Sequence, residues 1–214
     1  MTLWIPLTLV AVVLLLVADA RDDRRGVWIW KPLASTGFVA TALALLPTDD
    51  RYGRHVLWGL MLCWLGDVLL IPRARAAFAI GLASFLAGHV LFASAFLVRG
   101  VAPLWLVVVA LLLVAPALLV DRWLAPHVPA SLRLPVRAYV VAICAMVACA
   151  FGTYGFAAAR CGAAKLLLGA LMFFFSDLSV ARDRFVAPGF TNRLWGLPLY
   201  YGGQLLLATS VAWC

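Results

Sequence analysis

The sequence predicts an all-α fold, a polytopic integral membrane bundle of about eight transmembrane helices. Two observations lead to this prediction. Of the 214 residues, 66% are apolar and only 12% are charged, and the mean hydropathy is +1.05. Soluble domains are about a quarter charged, so a soluble protein of this composition would lack the polar residues needed to cover its surface. The apolar residues also fall into runs of about 17–22 residues, which is long enough to cross the hydrocarbon core of a bilayer.

Short polar breaks divide the chain into eight such runs. The predicted spans cover residues 2–18, 27–46, 55–71, 77–98, 102–120, 135–156, 162–181 and 194–213. The breaks lie at residues 19–25, 47–51, 72–75, 99–100, 122–133, 160–162 and 182–193. None of them is long enough to fold by itself, so residues 1–214 are predicted to form a single transmembrane domain. The first run lacks a basic flank, which favours a retained helix over a cleaved signal peptide.

The basic residues predict the orientation of the bundle. Twelve of the 17 Lys and Arg residues lie in or beside the odd-numbered connections: Arg21, Arg24, Arg25, Lys31, Arg73, Arg75, Arg122, Arg133, Arg137, Arg182, Arg184 and Arg193. The even-numbered connections hold the other five: Arg51, Arg54, Arg99, Arg160 and Lys165. By the positive-inside rule the odd-numbered connections are cytoplasmic and both termini lie outside. The net charge of +8 is thus interpreted as a topology signal, and no nucleic-acid partner is expected.

A weak internal repeat accompanies this topology. Gly66-Asp67-Val68 in the third run corresponds to Ser176-Asp177-Leu178 in the seventh. Two four-helix halves in parallel orientation would explain the correspondence, since four crossings return the chain to the same side. Chance matching in text rich in Leu, Val and Ala is the alternative, and the sequence leaves the choice open.

Ionisable groups inside the spans are the candidate functional residues, because each costs about 2.5–3.5 kcal/mol to insert. Asp67 and Asp177 come late in the third and seventh spans, and Lys31 opens the second. All three lie near the predicted cytoplasmic ends, so we expect them to face one cavity. His89 and Gln204 lie in mid-span. The alternative is a structural role. Each Asp could cap a helix or pair with a basic residue at the membrane interface, and the Lys31 side chain could extend to that interface. Tyr139 is also interpreted as structural.

Taken together in chain order, these residues resemble the YhhN-like lysoplasmalogenase membrane proteins. The matching stretches are Lys31-Pro32-Leu33, Gly66-Asp67-Val68-Leu69-Leu70, Phe78-x-x-Gly81-Leu82-x-x-Phe85 leading to His89, Ser176-Asp177 with Ala181, Arg184 and Phe185, and Tyr200 with Gln204. The resemblance implies eight spans and hydrolysis of the vinyl-ether bond of lysoplasmalogens to a fatty aldehyde and a glycerophospho-ethanolamine or -choline. It also implies that Asp67 and Asp177 are the catalytic aspartates. Substrate binding is assigned to Lys31, His89, Tyr200, Gln204 and Arg184.

The proposed chemistry suits two buried carboxyl groups. Cleavage of a vinyl ether begins with protonation of carbon, which requires an acid that keeps its proton near neutral pH, and an apolar site favours the protonated form of a carboxyl group. A second, ionised carboxylate stabilises the oxocarbenium ion, as in glycosidases. We expect one Asp to be the acid and the other the base or stabiliser, without deciding which is which.

A proton- or cation-coupled transporter of lipids or small molecules is the alternative function, because intramembrane carboxylates also serve ion coupling. No cofactor and no metal are expected, because His55, His89 and His127 are far apart in the chain and form no HExxH motif. The expected partners are a lysophospholipid substrate and membrane lipids. The expected location is the bacterial cell (inner) membrane, in a multi-pass topology with the site on the cytoplasmic side.

Overall fold

The computed structural model describes residues 3–47, 50–72, 74–157 and 162–212, and these residues form an all-helical bundle. The α-helices are α1 (Trp4–Ala20), α2 (Arg24–Leu45), α3 (Arg51–Leu69), α4 (Arg75–Arg99), α5 (Pro103–Leu124), α6 (Ala130–Ala157), α7 (Ala163–Ala181) and α8 (Phe190–Thr209). A π-helical turn, Arg182–Val186, continues α7. Parts of the predicted breaks, including Thr48, Asp49, Arg73, Arg160 and Cys161, lie outside the described residues. The all-α prediction is confirmed.

Eight helices are present, but fewer have the length and composition of a membrane span. Within the described ranges four qualify: Arg75–Arg99, Pro103–Leu124, Ala130–Ala157 and Ala163–Val186. Helix α1 is apolar but has only 17 residues. Helices α2, α3 and α8 fall outside this set, and they are the helices that carry Lys31, Ser35, Asp67, Tyr200 and Gln204.

The helix ends follow from local side-chain chemistry. Asp23 precedes α2 and accepts a hydrogen bond from the backbone N–H of Arg25 (3.1 Å). Asp50 precedes α3 and accepts from the N–H groups of Tyr52 (3.2 Å) and Gly53 (3.0 Å). Such N-caps satisfy backbone donors that the first helical turn leaves unpaired.

The two longest predicted connections, residues 122–133 and 182–193, are shorter in the structure. Pro135 was expected to open the sixth span, yet α6 begins at Ala130 and Pro135 lies inside the helix. Pro135 is therefore past the first turn, and because it has no N–H group the Ser131 carbonyl loses its usual intrahelical donor. The predicted seventh connection, residues 182–193, is largely helical, since it contains the π-helical turn and the start of α8. The loops are therefore shorter than expected.

Most consecutive helices pack against each other, but α4 packs against α6 rather than α5, and α8 also contacts α1, α2 and α3. Helix α5 is peripheral: it packs chiefly against α6, and Leu104, Leu111, Leu112 and Leu119 on its surface are exposed. Such a continuous apolar surface suits contact with lipid tails. The bundle core contains fully buried aromatic side chains, namely Phe38, Tyr52, Phe92, Phe96, Phe173 and Tyr201.

Two glycines set the close approach of α7 and α8. A Cβ atom on Gly169 would lie 2.9 Å from the carbonyl oxygen of Gly203, and a Cβ on Gly203 would lie 2.9 Å from that of Gly169. The obstructing atoms belong to backbone, which cannot rotate away. The reciprocal absence of side chains therefore allows the helix that carries Asp177 to lie directly against the helix that carries Tyr200.

Candidate functional site

A cavity of about 370 Å³ opens between the helices, and both intramembrane aspartates lie on its wall. Its polar lining includes Asp19, Asp22, Arg24, Lys31, Asp67, Tyr139, Asp177, Asp183, Arg184, Arg193 and Tyr200. Apolar side chains of α4, α5 and α6 also line it, among them Phe78, Leu82, Phe85, Pro116, Val120, Val136, Val140 and Ile143. The cavity thus offers two kinds of surface, one suited to a charged group and one to a hydrocarbon chain.

Asp67 is held by donors from two other helices. Its Oδ2 accepts hydrogen bonds from the hydroxyl of Ser35 on α2 (2.6 Å) and the phenol of Tyr200 on α8 (2.7 Å). Its Oδ1 lies 3.5 Å from Nζ of Lys31. The carboxyl group is 2% exposed. Two hydroxyl donors and an ammonium around one carboxyl group favour its ionised form and oppose the effect of burial, which favours the protonated form.

The tyrosine that follows Tyr200 belongs to the layer behind this site. The phenol of Tyr201 lies 3.2 Å from the Ser35 hydroxyl and donates to the backbone carbonyl of Lys31 (3.3 Å). It therefore braces α2 against α8 and orients the donor to Asp67.

Asp177 has different partners. Its Oδ2 accepts a hydrogen bond from the phenol of Tyr139 on α6 (2.7 Å) and lies 3.4 Å from Nε2 of His89 on α4. The Asp177 side chain is 15% exposed, against 3% for Asp67. Asp177 is thus the more accessible of the two carboxyl groups.

The mouth of the cavity is charged. Arg193 on α8 pairs with Asp19 of α1 (3.0 Å) and with Asp183 of the π-helical turn (3.4 Å). Arg184 points its guanidinium at the ring of Phe78, 4.2 Å from the ring centroid. Arginines at the edge of an otherwise apolar cavity can bind a phosphate group.

The predicted site residues are distributed over two layers. Lys31, Asp67, Asp177, Arg184 and Tyr200 line the cavity. His89 and Gln204 are fully buried, and neither belongs to the described cavity wall. The Gln204 amide has no hydrogen-bond partner within the part of the chain that the structure describes.

Sequence reasoning missed several members of the site. Ser35 lies four residues after Lys31 and thus on the same helical face, which was the available signal. Tyr139 was interpreted as structural, and its contact with Asp177 required the packing of α6 against α7. The same holds for Arg193, since its partner Asp19 is 174 residues away in the chain. In residues 3–47, 50–72, 74–157 and 162–212, no three His, Cys, Asp or Glu side chains are grouped closely enough to hold a metal ion.

Comparisons with known proteins give one consistent result. The model of the YhhN family matches residues 26–211. A protein of Bos taurus named lysoplasmalogenase TMEM86A is 31% identical over 200 residues, covering 85% of this chain and 82% of its own length. A lysoplasmalogenase of Mycobacterium bovis is 33% identical over 186 residues, covering 83% of this chain and 67% of its own length. A lysoplasmalogenase TMEM86B of Sus scrofa is 34% identical over 160 residues, which is 73% of this chain and 63% of the relative. No solved structure matches the chain.

Proposed function

Because the chain belongs to the YhhN family, we propose that it is an integral membrane hydrolase that cleaves the vinyl-ether bond of lysoplasmalogens. The products would be a fatty aldehyde and a glycerophospho-ethanolamine or -choline. Asp67 and Asp177 are the proposed catalytic residues. Lys31, Tyr200 and Arg184 are the proposed substrate-binding residues at the cavity wall, with His89 and Gln204 supporting them from behind.

The observation that carries the proposal is the shared cavity. Two carboxyl groups from α3 and α7 meet on a wall that also offers arginines at its mouth and an apolar surface from α4, α5 and α6. A lysophospholipid has the same three parts: a charged headgroup, a reactive bond next to the glycerol, and one hydrocarbon chain. The mixed polar and apolar lining therefore supports a single-chain lipid as the substrate class.

The reaction follows from this arrangement. One carboxylic acid protonates the vinyl carbon distal to the ether oxygen and generates an oxocarbenium ion. The ionised carboxylate stabilises this cation while water adds to it, as in glycoside hydrolysis. The resulting hemiacetal collapses to the aldehyde and the free glycerol hydroxyl, so that one water molecule is consumed per bond cleaved.

We further propose that all eight helices cross the membrane. The short connections between consecutive helices support this, because each helix must then run back across the bundle. The distribution of Lys and Arg supports a cytoplasmic opening of the cavity and a bacterial inner-membrane location. A lysophospholipid would then enter from the inner leaflet.

The direct test is an aldehyde assay on the purified protein in detergent. A lysoplasmalogen and its saturated ether analogue are supplied in parallel, and aldehyde is expected from the vinyl ether only. Asp67→Asn and Asp177→Asn should each reduce turnover to near background. Asp121→Asn is the matched control, since Asp121 pairs with the exposed Arg137 and is absent from the wall described above.

Two outcomes would count against the proposal. Wild-type turnover in both single variants would show that the aspartates are not catalytic. No aldehyde from wild-type protein, together with proton-dependent flux across liposomes, would favour the transporter.

A further inference from the structure

We infer that His89 and Asp177 hold one proton between them, that Asp177 is the proton donor of the reaction, and that Asp67 remains ionised. The inference rests on the proposed function for its catalytic part. Its structural part, the shared proton, concerns the protein without substrate and can be tested independently of any activity.

The first step concerns the tautomer of His89. Its Nδ1 lies 2.7 Å from the backbone carbonyl oxygen of Phe85. A carbonyl oxygen only accepts hydrogen bonds, so Nδ1 must carry a proton. Nε2 therefore carries either a lone pair or the second proton of an imidazolium ion.

The second step concerns what Nε2 faces. Nε2 lies 3.4 Å from Oδ2 of Asp177, and the His89 side chain is fully buried. If Nε2 held a lone pair and Asp177 were ionised, two electron-rich atoms would face each other away from water, which is unfavourable. One proton between them removes this conflict, whether it is located on Nε2 or on the carboxyl group.

The third step concerns how firmly His89 is held. Its ring stacks on Phe173 with centroids 4.4 Å apart and an interplanar angle of 30°, and the ring of Tyr139 meets its edge at 5.0 Å. In the described part of the chain Nε2 makes no hydrogen bond, and the Asp177 carboxyl group at 3.4 Å is the charged group that it faces. Asp177, in contrast, lines the cavity. His89 is thus a positioning residue that reaches the substrate only through Asp177.

The contrast with Asp67 separates the two roles. Both hydroxyl groups and the ammonium around Asp67 supply protons to its carboxylate, and no described group near it needs a proton. The Asp177 carboxyl group is matched with a base that lacks one. The hydrogen-bond partners therefore assign Asp177 as the acid and Asp67 as the ionised stabiliser.

The proton balance closes over one turnover. The His89–Asp177 pair gives its proton to the vinyl carbon, and the ether oxygen donates electron density to form the oxocarbenium ion opposite Asp67. Water adds to this cation and returns one proton to Asp177, which restores the pair. The remaining hemiacetal hydroxyl proton passes to the glycerol oxygen as the carbon–oxygen bond breaks.

The structural test is ¹⁵N NMR of histidine-labelled protein at neutral pH. The chain has three histidines, of which His127 is exposed and His55 is half-buried, so a His55→Gln/His127→Gln background leaves only the His89 signals. We expect a protonated Nδ1 and an Nε2 resonance that moves in Asp177→Asn but stays in Asp67→Asn. A neutral Nε2–H tautomer, or equal shifts in both variants, would overturn the inference.

The catalytic test compares two substitutions of the histidine. His89→Asn retains a donor for the Phe85 carbonyl, and His89→Gln retains a group that reaches Asp177, but neither can share a titrating proton. Both should lower kcat at least about a hundredfold, the usual contribution of a general acid, and leave KM within about twofold. Wild-type kcat in either variant would assign His89 a packing role only.

Two other titratable side chains lie close by: the ring of Tyr139 of α6 contacts that of His89, and Cys63 of α3 packs against the neighbouring Gly88. Binding of the saturated ether analogue by each variant reports on folding. If wild-type protein cleaves no vinyl ether, the proposed function fails, and the NMR result still decides whether the proton is shared.

Discussion

Tyr200 and Tyr201 are adjacent in the chain but act on different partners, which makes them a matched pair for substitution. The Tyr200 phenol donates to Asp67 at 2.7 Å. Among the described residues, the Tyr201 phenol reaches the Ser35 hydroxyl at 3.2 Å and the Lys31 carbonyl at 3.3 Å. Replacing either residue by Phe removes one hydroxyl and keeps the ring. The Tyr200 ring contacts, with centroids 5.5 Å from Phe173 and 4.9 Å from Tyr201, should persist.

The expected loss follows from the type of hydrogen bond. A hydrogen bond to a charged group contributes about 1.5–3 kcal/mol, and one between neutral groups about 0.5–1.5 kcal/mol. If the Asp67 carboxylate stabilises the oxocarbenium ion, the stronger bond is expressed in the transition state. Tyr200→Phe should therefore lower kcat about 10- to 150-fold, at about 1.36 kcal/mol per factor of ten. Tyr201→Phe should lower it less than about tenfold.

The assay is aldehyde release under saturating lysoplasmalogen, with the thermal unfolding midpoint of each variant in the same detergent. Equal midpoints would show that the comparison concerns chemistry. Equal losses of kcat in the two variants, or a larger loss in Tyr201→Phe, would refute the reasoning that the Tyr200 hydroxyl acts through Asp67.

Three further predictions concern stability and substrate affinity. Lys31→Met removes the ammonium group that pairs with the buried Asp67 carboxylate. The free energy of unfolding, measured by denaturation in detergent, should therefore fall by about 3 kcal/mol. An unchanged value would show that the hydroxyl donors alone stabilise the carboxylate. Gly169→Ala places a methyl group against the Gly203 carbonyl and should destabilise the protein by about 1–3 kcal/mol, which lowers the thermal unfolding midpoint. Gly189→Ala is the control, because the space around Gly189 is open and its midpoint should not change. Arg184→Gln should raise KM for lysoplasmalogen about five- to tenfold with little change in kcat, because one charge-assisted hydrogen bond to the phosphate is lost. An unchanged KM would show that Arg184 does not bind the phosphate.

The helical architecture was predictable because it depends on the chain alone. A bilayer requires every backbone polar group to be satisfied within its own segment, so long apolar runs must be helical. Charged residues between the runs then mark the connections. The boundaries at Ala130 and Phe190 were missed because Pro135 suggested a helix start and residues 182–193 appeared polar enough for a loop.

The chemistry-bearing residues were predictable for a related reason. Asp67 and Asp177 are too costly in an apolar helix to lack a polar environment, and their positions near the ends of the third and seventh helices suggested a common depth. The sequence therefore determined the helices and the two carboxyl groups.

The partners of each carboxyl group were decided only by tertiary structure. Helical periodicity shows which residues share a face of one helix, but it contains no information on which face of another helix lies opposite. Tyr200 meets Asp67 while Tyr139 and His89 meet Asp177, because α8 packs against α3 and α6 packs between α4 and α7. That packing surrounds two chemically identical carboxyl groups with different donors. The different roles proposed for the two aspartates follow from this difference.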